Sequence, residues 1–172
     1  MSDLLQRLSR FRTAIRNGIL FVLVIVLLRP FVEAMAIVDS SHSPTLLDGD
    51  RVLVNKVSAI LHGPARHDLV IYRSPLQPEI QWLGRVIGLP REHIEVRNGA
   101  LHVDGKEVAE PYLQEAMFFD YDFPTAEDEY FIVQDRRNAC AASFWAGPVP
   151  GGMIVGRLDL LFWPPLRIGP VR

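Results

Sequence analysis

The hydrophobic pattern divides the chain into one long apolar segment near the N-terminus and a series of short runs after it. Residues 18–28, GILFVLVIVLL, form eleven consecutive positions without a polar side chain. At ~1.5 Å rise per residue this run covers about half of a ~30 Å hydrocarbon core, so a full span needs flanking residues as well. We therefore predict one transmembrane helix over roughly residues 11–31, with the side chains of Arg12 and Arg16 extending towards the membrane surface.

After residue 38 the apolar positions fall in short β-branched runs, and no long helical periodicity is present. We predict strands over residues 51–54, 69–72, 80–87, 93–96, 101–103, 130–133 and 153–162. Asn98-Gly99 lies between two of these runs and is a strong signal for a β-hairpin. The predicted fold class is mainly β, with an antiparallel β domain over residues 39–172 that is attached to a single N-terminal helix.

Charge is sorted along the chain, which gives the predicted helix an orientation. Residues 1–17 hold four arginines against one aspartate, whereas the other 155 residues hold 14 basic and 19 acidic side chains. The positive-inside rule then places the N-terminus in the cytoplasm and the β domain on the periplasmic or extracellular side of the cytoplasmic membrane. The first domain, residues 1–38, comprises the basic stretch, the helix and an apolar exit segment.

Two other interpretations of the N-terminal segment remain open. It has the layout of a cleavable signal peptide, in which Ala34-Met35-Ala36 would be the cleavage site. It could also be a buried core helix, although its basic flank is one-sided. The net charge of −2 argues against nucleic acid as a partner. The single cysteine excludes an intramolecular disulfide and a cysteine-rich metal site, and no cofactor is expected.

Residues 118–130, FFDYDFPTAEDEY, combine five acidic and five aromatic side chains. We predict a solvated loop whose rings turn inward. A partner-binding or metal-binding loop is the alternative, but carboxylates without the glycine and glutamate spacing of a calcium loop are a weak metal signal. We therefore predict no metal site.

Several motifs after residue 38 recur in a known order. Residues 41–56 have the sequence SHSPTLLDGDRVLVNK, residues 85–90 RVIGLP, and residues 135–150 run from Asp-Arg-Arg to Gly-Pro-Val-Pro, with FWPPLRIG at 162–169. In this order and spacing they resemble the type I signal peptidase family over roughly residues 29–172. The resemblance implies a membrane-anchored, antiparallel, barrel-like β fold outside the cytoplasmic membrane, with an apolar surface near the active site that rests on lipid.

The resemblance also implies an amide-cleaving site with a serine nucleophile and a lysine general base. A serine hydroxyl is a poor nucleophile until a neighbour takes its proton. Ser41 falls at the nucleophile position. However, the position of the family's lysine holds Gly84, that of its oxyanion-hole serine holds Asp39, and that of an aspartate that supports the lysine holds Ala142.

These replacements predict that the site has lost its chemistry. Gly84 has no side chain to act as a base, and an ionised Asp39 would place negative charge where the intermediate develops it. In the same block Ser143 is kept, Phe144 replaces an arginine, and Cys140 stands where a serine is common. We expect Cys140 to be a small buried side chain and not a nucleophile.

Other residues could in principle replace the lysine. The two lysines, Lys56 and Lys106, match positions that are not catalytic in the family. His42 is adjacent to Ser41, but neighbouring side chains point apart in an extended chain, so we expect no Ser41–His42 pair. Asp39, two positions before Ser41 and on the same face, is a further alternative base.

The function favoured by the sequence is therefore a catalytically inactive, membrane-anchored scaffold, chaperone or structural subunit of a membrane protein complex. Its expected partners are membrane lipid and either other membrane proteins or an extended peptide segment, with residues 31–38 and 118–130 as the two candidate contact surfaces. One alternative is an active signal peptidase that cleaves exported preproteins with a displaced base. Another is a regulator that captures signal peptides without cutting them.

Overall fold

Helices and strands occur in the order that the hydrophobic pattern predicts, with one long helix first. The computed structural model describes residues 2–38, 41–113, 120–136 and 148–171. Helix α1 is Ser2–Leu28 and helix α2 is Lys56–Leu61. The strands, in chain order, are β1 (Val32–Ala36), β2 (Arg51–Asn55), β3 (Leu69–Ser74), β4 (Gln77–Gly88), β5 (His93–Arg97), β6 (Ala100–Val103), β7 (Lys106–Glu107), β8 (Tyr121–Pro124), β9 (Glu129–Val133), β10 (Val149–Pro150), β11 (Ile154–Trp163) and β12 (Gly169–Pro170).

The strands form two antiparallel sheets, which confirms the predicted fold class. The larger sheet has the order β1-β2-β11-β3-β4-β9-β10, and β12 also pairs with β11. The smaller sheet has the order β7-β6-β5-β8. Apolar side chains alternate into the interior, as Val52 and Val54 do on β2, where both are almost fully buried. These side chains form a core cluster on the larger sheet, and a second cluster, which includes Ile87 and Ile94, packs the two sheets together.

The hairpin predicted at Asn98-Gly99 joins β5 to β6. Both turn residues have positive φ, 52° for Asn98 and 78° for Gly99, as a two-residue type I′ connection requires. Five of the described strands were not predicted from the sequence: the two-residue strands β7, β10 and β12, and the longer β1 and β8. The apolar exit segment forms β1, which pairs with β2, and the acidic-aromatic segment contributes β8, which pairs with β5. Both are short and have mostly exposed side chains, so their sequence alternation is weak.

The apolar run of residues 18–28 lies in the last part of α1. Its described side chains are exposed by half or more of their surface, for example Phe21 at 67%. The helix ends at Leu28, short of the predicted boundary at residue 31, and its earlier turns carry the arginines. No helix among the described residues is long and apolar enough to cross a membrane, so the predicted transmembrane helix is not confirmed.

Candidate active site

Ser41 begins a tight loop, residues 41–49, that connects β1 to β2. The amide of Leu46 donates to the carbonyl of His42 at 2.9 Å, and the fully buried Leu46 side chain anchors the loop in the core. The Asp50 carboxylate accepts from the amide of Leu47 at 2.8 Å. These contacts make the loop an ordered platform, which we call the serine loop.

The serine loop is attached to the end of β9. The backbone amide of Arg136 donates to the carbonyl of Ser41 at 2.8 Å. Ser41 is therefore held next to the strand end that continues from Val133, and Val133 pairs with Arg85 on β4. In this way the sheet brings Ser41 close to Arg85 of the RVIGLP motif, although the two residues are more than forty positions apart in the chain.

Within the loop, Ser41 and His42 are in contact. The Ser41 hydroxyl oxygen lies 3.1 Å from Nδ1 of His42, and the His42 residue is 1% exposed. The prediction that these side chains point apart is wrong, because it assumed an extended chain. The loop is a succession of turns, in which the strict alternation of a strand does not apply.

Gly84 lies on β4 opposite Val70 of β3, and the space beside it is filled. A β-carbon placed on Gly84 would lie 2.5 Å from Cγ2 of Ile132 and 2.9 Å from Cε1 of Tyr72. Both distances are shorter than carbon–carbon contacts allow. A side chain at position 84 would therefore require both neighbours to move, and none can project from here in the present packing.

Arg85, the next residue on β4, is a charged centre of the site that sequence reasoning missed. Its guanidinium forms two parallel hydrogen bonds with Asp135, at 2.8 Å from Nε and 2.7 Å from Nη2. Both side chains are essentially unexposed. Its Nη2 also contacts the hydroxyl of Thr45 in the serine loop at 3.3 Å. In the sequence, Arg85 and Asp135 are opposite charges in two separate motifs, but the sequence does not show that these side chains face each other.

A second group of side chains, Tyr112, His67 and Glu110, lies next to the Arg85 guanidinium. The Tyr112 ring lies over the Arg85 guanidinium, with 4.0 Å from the guanidinium carbon to the ring centre, a cation–π arrangement. The Tyr112 hydroxyl donates to Glu110 at 2.7 Å and lies 3.1 Å from Nδ1 of His67. Burial lowers the pKa of His67, and the nearby Arg66 and Arg85 lower it further, against the opposing effect of Glu110. The imidazole next to the site is thus kept neutral near pH 7.

The lysines do not supply an obvious base. Lys56, at the start of α2, forms an ion pair with Glu33 of β1 at 2.7 Å. Lys106 lies on β7, in the smaller sheet. Asp39 and Ala142 lie outside the described residues, as do Cys140, Ser143 and Phe144, so their predicted roles stay predictions.

Several known proteins are similar to this chain in sequence or in fold. The sequence profile of the family described as "Signal peptidase, peptidase S26" matches residues 10–163, which include the serine loop, Gly84 and Arg85. The chain belongs to the signal peptidase S26 family. The resemblance inferred from the motifs is thereby confirmed at the level of the family.

Curated relatives of the same family carry signal peptidase names. The chain is 32% identical over 155 residues to a probable signal peptidase I-2 of Synechocystis, covering 86% of this chain and 71% of that protein. It is 29% identical over 166 residues to signal peptidase IB of Staphylococcus aureus strain COL, covering 86% of each chain. The names show that proteins similar to this one are peptidases.

A solved structure of a signal peptidase I from Enterococcus faecalis V583 has a similar fold. The identity is 26% and the TM-score 0.50, and the match covers 56% of this chain and 97% of the other. The antiparallel architecture is thus that of the signal peptidase I fold. Sequence, structure and relatives agree on the family.

Proposed function

We propose that this chain is a signal peptidase I homologue that binds extended peptide segments at the serine loop without the family's serine–lysine chemistry, as a scaffold or chaperone at the membrane. The observation that carries the proposal is the packing around Gly84. The expected base is missing, and Ile132 and Tyr72 occupy the space where its β-carbon would begin.

The electrostatics of the loop support the same proposal. A lysine acts as a general base only when its environment lowers its pKa towards the working pH. Here two arginines reach the serine loop: Arg167 donates to the carbonyl of Thr45 at 3.1 Å, and Arg85, which is paired with Asp135, contacts the Thr45 hydroxyl. An arginine side chain has no basic lone pair to offer in a protein. It can orient the loop but cannot accept a proton from Ser41.

A cleavage assay tests the proposal with the full chain in detergent. The wild type and Ser41→Ala are incubated with a preprotein, and the products are identified by mass spectrometry. We expect no cleavage by either protein above background. Cleavage by the wild type that disappears in Ser41→Ala would overturn the proposal.

Peptide binding is tested separately by cross-linking. A photoreactive group is attached to Ser41→Cys in a Cys140→Ser background, so that the introduced thiol is the only cysteine. Ser58→Cys, on α2, is the matched control because its residue is also half-buried. A signal peptide should label position 41 more strongly than position 58. Equal or absent labelling would contradict the proposed binding.

An active signal peptidase is the second candidate, and two observations favour it. The relatives are named signal peptidases, and His42 presents a ring nitrogen 3.1 Å from the Ser41 hydroxyl. A histidine at this distance can take the proton of a serine. In this case His42→Gln abolishes cleavage as completely as Ser41→Ala, whereas Ser43→Ala, one position further along the loop, retains it.

The proposal places the chain at the cytoplasmic membrane with α1 as its anchor and the β domain outside the cytoplasm. The exposed apolar run of α1 and the arginines before it support this location. Membranes from cells that produce the full chain are extracted with alkaline carbonate. The wild type should stay in the pellet, and Val24→Lys, which places a charge in the run, should shift to the supernatant. Wild type in the supernatant would contradict the anchor.

A further inference from the structure

The smaller sheet carries a cluster of possible metal ligands on its outer face. His93 and Glu95 alternate on β5, and Asp122 lies on β8 directly opposite Glu95. Because side chains alternate along a strand, these three share one face. The intervening Ile94 and Val96 turn to the other face and are fully buried in the core.

The three side chains converge closely. Nε2 of His93 lies 2.5 Å from Oδ1 of Asp122, and Nδ1 lies 3.5 Å from Oε1 of Glu95. One donor atom of each residue falls within 4.8 Å of the others. The cluster thus offers one imidazole and two carboxylates, donor types that divalent transition metals take from proteins.

The spacing suits a small divalent metal. Two ligands at ~2.0–2.1 Å from a tetrahedral zinc ion are about 3.3 Å apart. The 3.5 Å between Nδ1 of His93 and Oε1 of Glu95 is close to this value. A single ion binds only one nitrogen of the imidazole, so Asp122, which contacts Nε2, must change rotamer to join Nδ1 and Glu95. Its side chain is 72% exposed, so this change has little packing cost.

The neighbours leave the required atoms available. Arg97 pairs with Oε2 of Glu95, so the guanidinium holds one carboxylate oxygen and leaves Oε1 directed at His93. On the other side, His102 of β6 is directly opposite Glu95. Its Nδ1 lies 3.3 Å from the carbonyl of Ala100, an arrangement that orients a histidine to ligate through Nε2.

We propose that His93, Glu95 and Asp122 bind one divalent transition-metal ion of the zinc class, and that His102, opposite Glu95 on β6, turns to it as a fourth ligand. A set of imidazole nitrogens and carboxylate oxygens suits such ions, whereas calcium requires six to eight oxygens. The ion ties β8 to β5, which gives part of the acidic-aromatic segment a structural role. The sequence predicted no metal here because the ligands come from two separate strands.

Zinc titration of the full chain tests the site. The protein is treated with EDTA, the chelator is removed, and Zn²⁺ binding is measured by competition with a chromogenic indicator, with Ca²⁺ as a comparison. We expect binding of a single ion per chain. His93→Gln and Asp122→Asn should each weaken the affinity about tenfold or more.

Two variants provide matched controls. His62→Gln removes an exposed histidine elsewhere, and Glu127→Gln removes an exposed acid in the same segment, which pairs with Arg91. Both should leave Zn²⁺ affinity unchanged. Thermal unfolding without metal checks that every variant is folded. Absent Zn²⁺ binding, or binding that His93→Gln and Asp122→Asn do not weaken, would overturn the proposal.

Discussion

Position 84 shows how much a single residue can determine at the site. Glycine fits there because it has no side chain: the ring of Tyr72 and the γ-methyl of Ile132 fill the space that a β-carbon would occupy. From the family resemblance, the sequence predicts only that the general-base lysine is absent at this position. The structure adds that its place is filled, so restoring the lysine would first require space.

Gly84→Ala should destabilise the protein by about 1–3 kcal/mol, because a methyl group inserted into a packed core forces its neighbours apart. The free energy of unfolding is measured by urea denaturation. Adding Ile132→Ala should relieve this crowding. The double variant should therefore lose less free energy of unfolding than the two single variants lose together, because both changes act on the same space. Gly152→Ala, whose added methyl group would meet nothing within 4 Å, is the control with little change. Strict additivity of positions 84 and 132 would contradict the packing argument.

The contact between His42 and Ser41 is a second feature at the scale of single residues that only the structure shows. Its adjacency to Ser41 was evident, but the geometry was predicted wrongly because a strand-like chain was assumed. Turn conformations of the serine loop bring Nδ1 to the hydroxyl instead. Local backbone shape, which depends on what the loop packs against, determines whether two neighbouring side chains meet.

At the scale of elements, the Arg85–Asp135 pair connects β4, the end of β9 and the serine loop. A buried charge is stable only when its partner and its remaining hydrogen bonds are all present. Arg85 satisfies this condition through Asp135, Thr45 and the carbonyl of His67. The position of the serine loop therefore depends on a contact between motifs that are fifty residues apart.

Removing one partner should be costly. Arg85→Met should lower the free energy of unfolding by about 3–5 kcal/mol, because it leaves Asp135 charged and buried without its partner. The double variant Arg85→Met/Asp135→Leu should recover part of this loss. Arg91→Met breaks an exposed pair with Glu127 and should change stability by about 1 kcal/mol or less. Urea denaturation measures all three, and equal effects for Arg85 and Arg91 would contradict the assigned role.

For the molecule as a whole, the lowered pKa of His67 predicts a pH dependence of stability. Its ordinary value in the unfolded chain is 6.5, and burial lowers it in the fold. Well above pH 6.5 neither state binds this proton. As the pH falls below 6.5 the unfolded chain takes up the proton more readily, so stability decreases until the folded pKa is reached.

The comparison of variants isolates this effect. His67 has φ of 72°, which asparagine tolerates, so His67→Asn preserves the backbone while removing the titrating group. Thermal midpoints between pH 8 and pH 5 should fall less steeply in His67→Asn than in the wild type. His62→Asn, which removes an exposed histidine, should retain the wild-type slope. If the thermal midpoint changes with pH by the same amount in all three proteins, His67 does not contribute to the pH dependence of stability.

The sequence by itself determined the family, the mainly β fold class and the Asn98-Gly99 hairpin, because ordered motifs, period-2 alternation and turn chemistry are local properties. It also predicts Ser41 and Gly84 as the positions that decide the chemistry, and the cleavage assay tests this prediction. Only the tertiary structure decided that His42 contacts Ser41, that Arg85 pairs with Asp135, that the space beside Gly84 is filled, and that Asp122 meets His93 and Glu95. The physical reason is that each of these depends on strand pairing and loop packing, which bring together atoms whose relative positions no local pattern specifies.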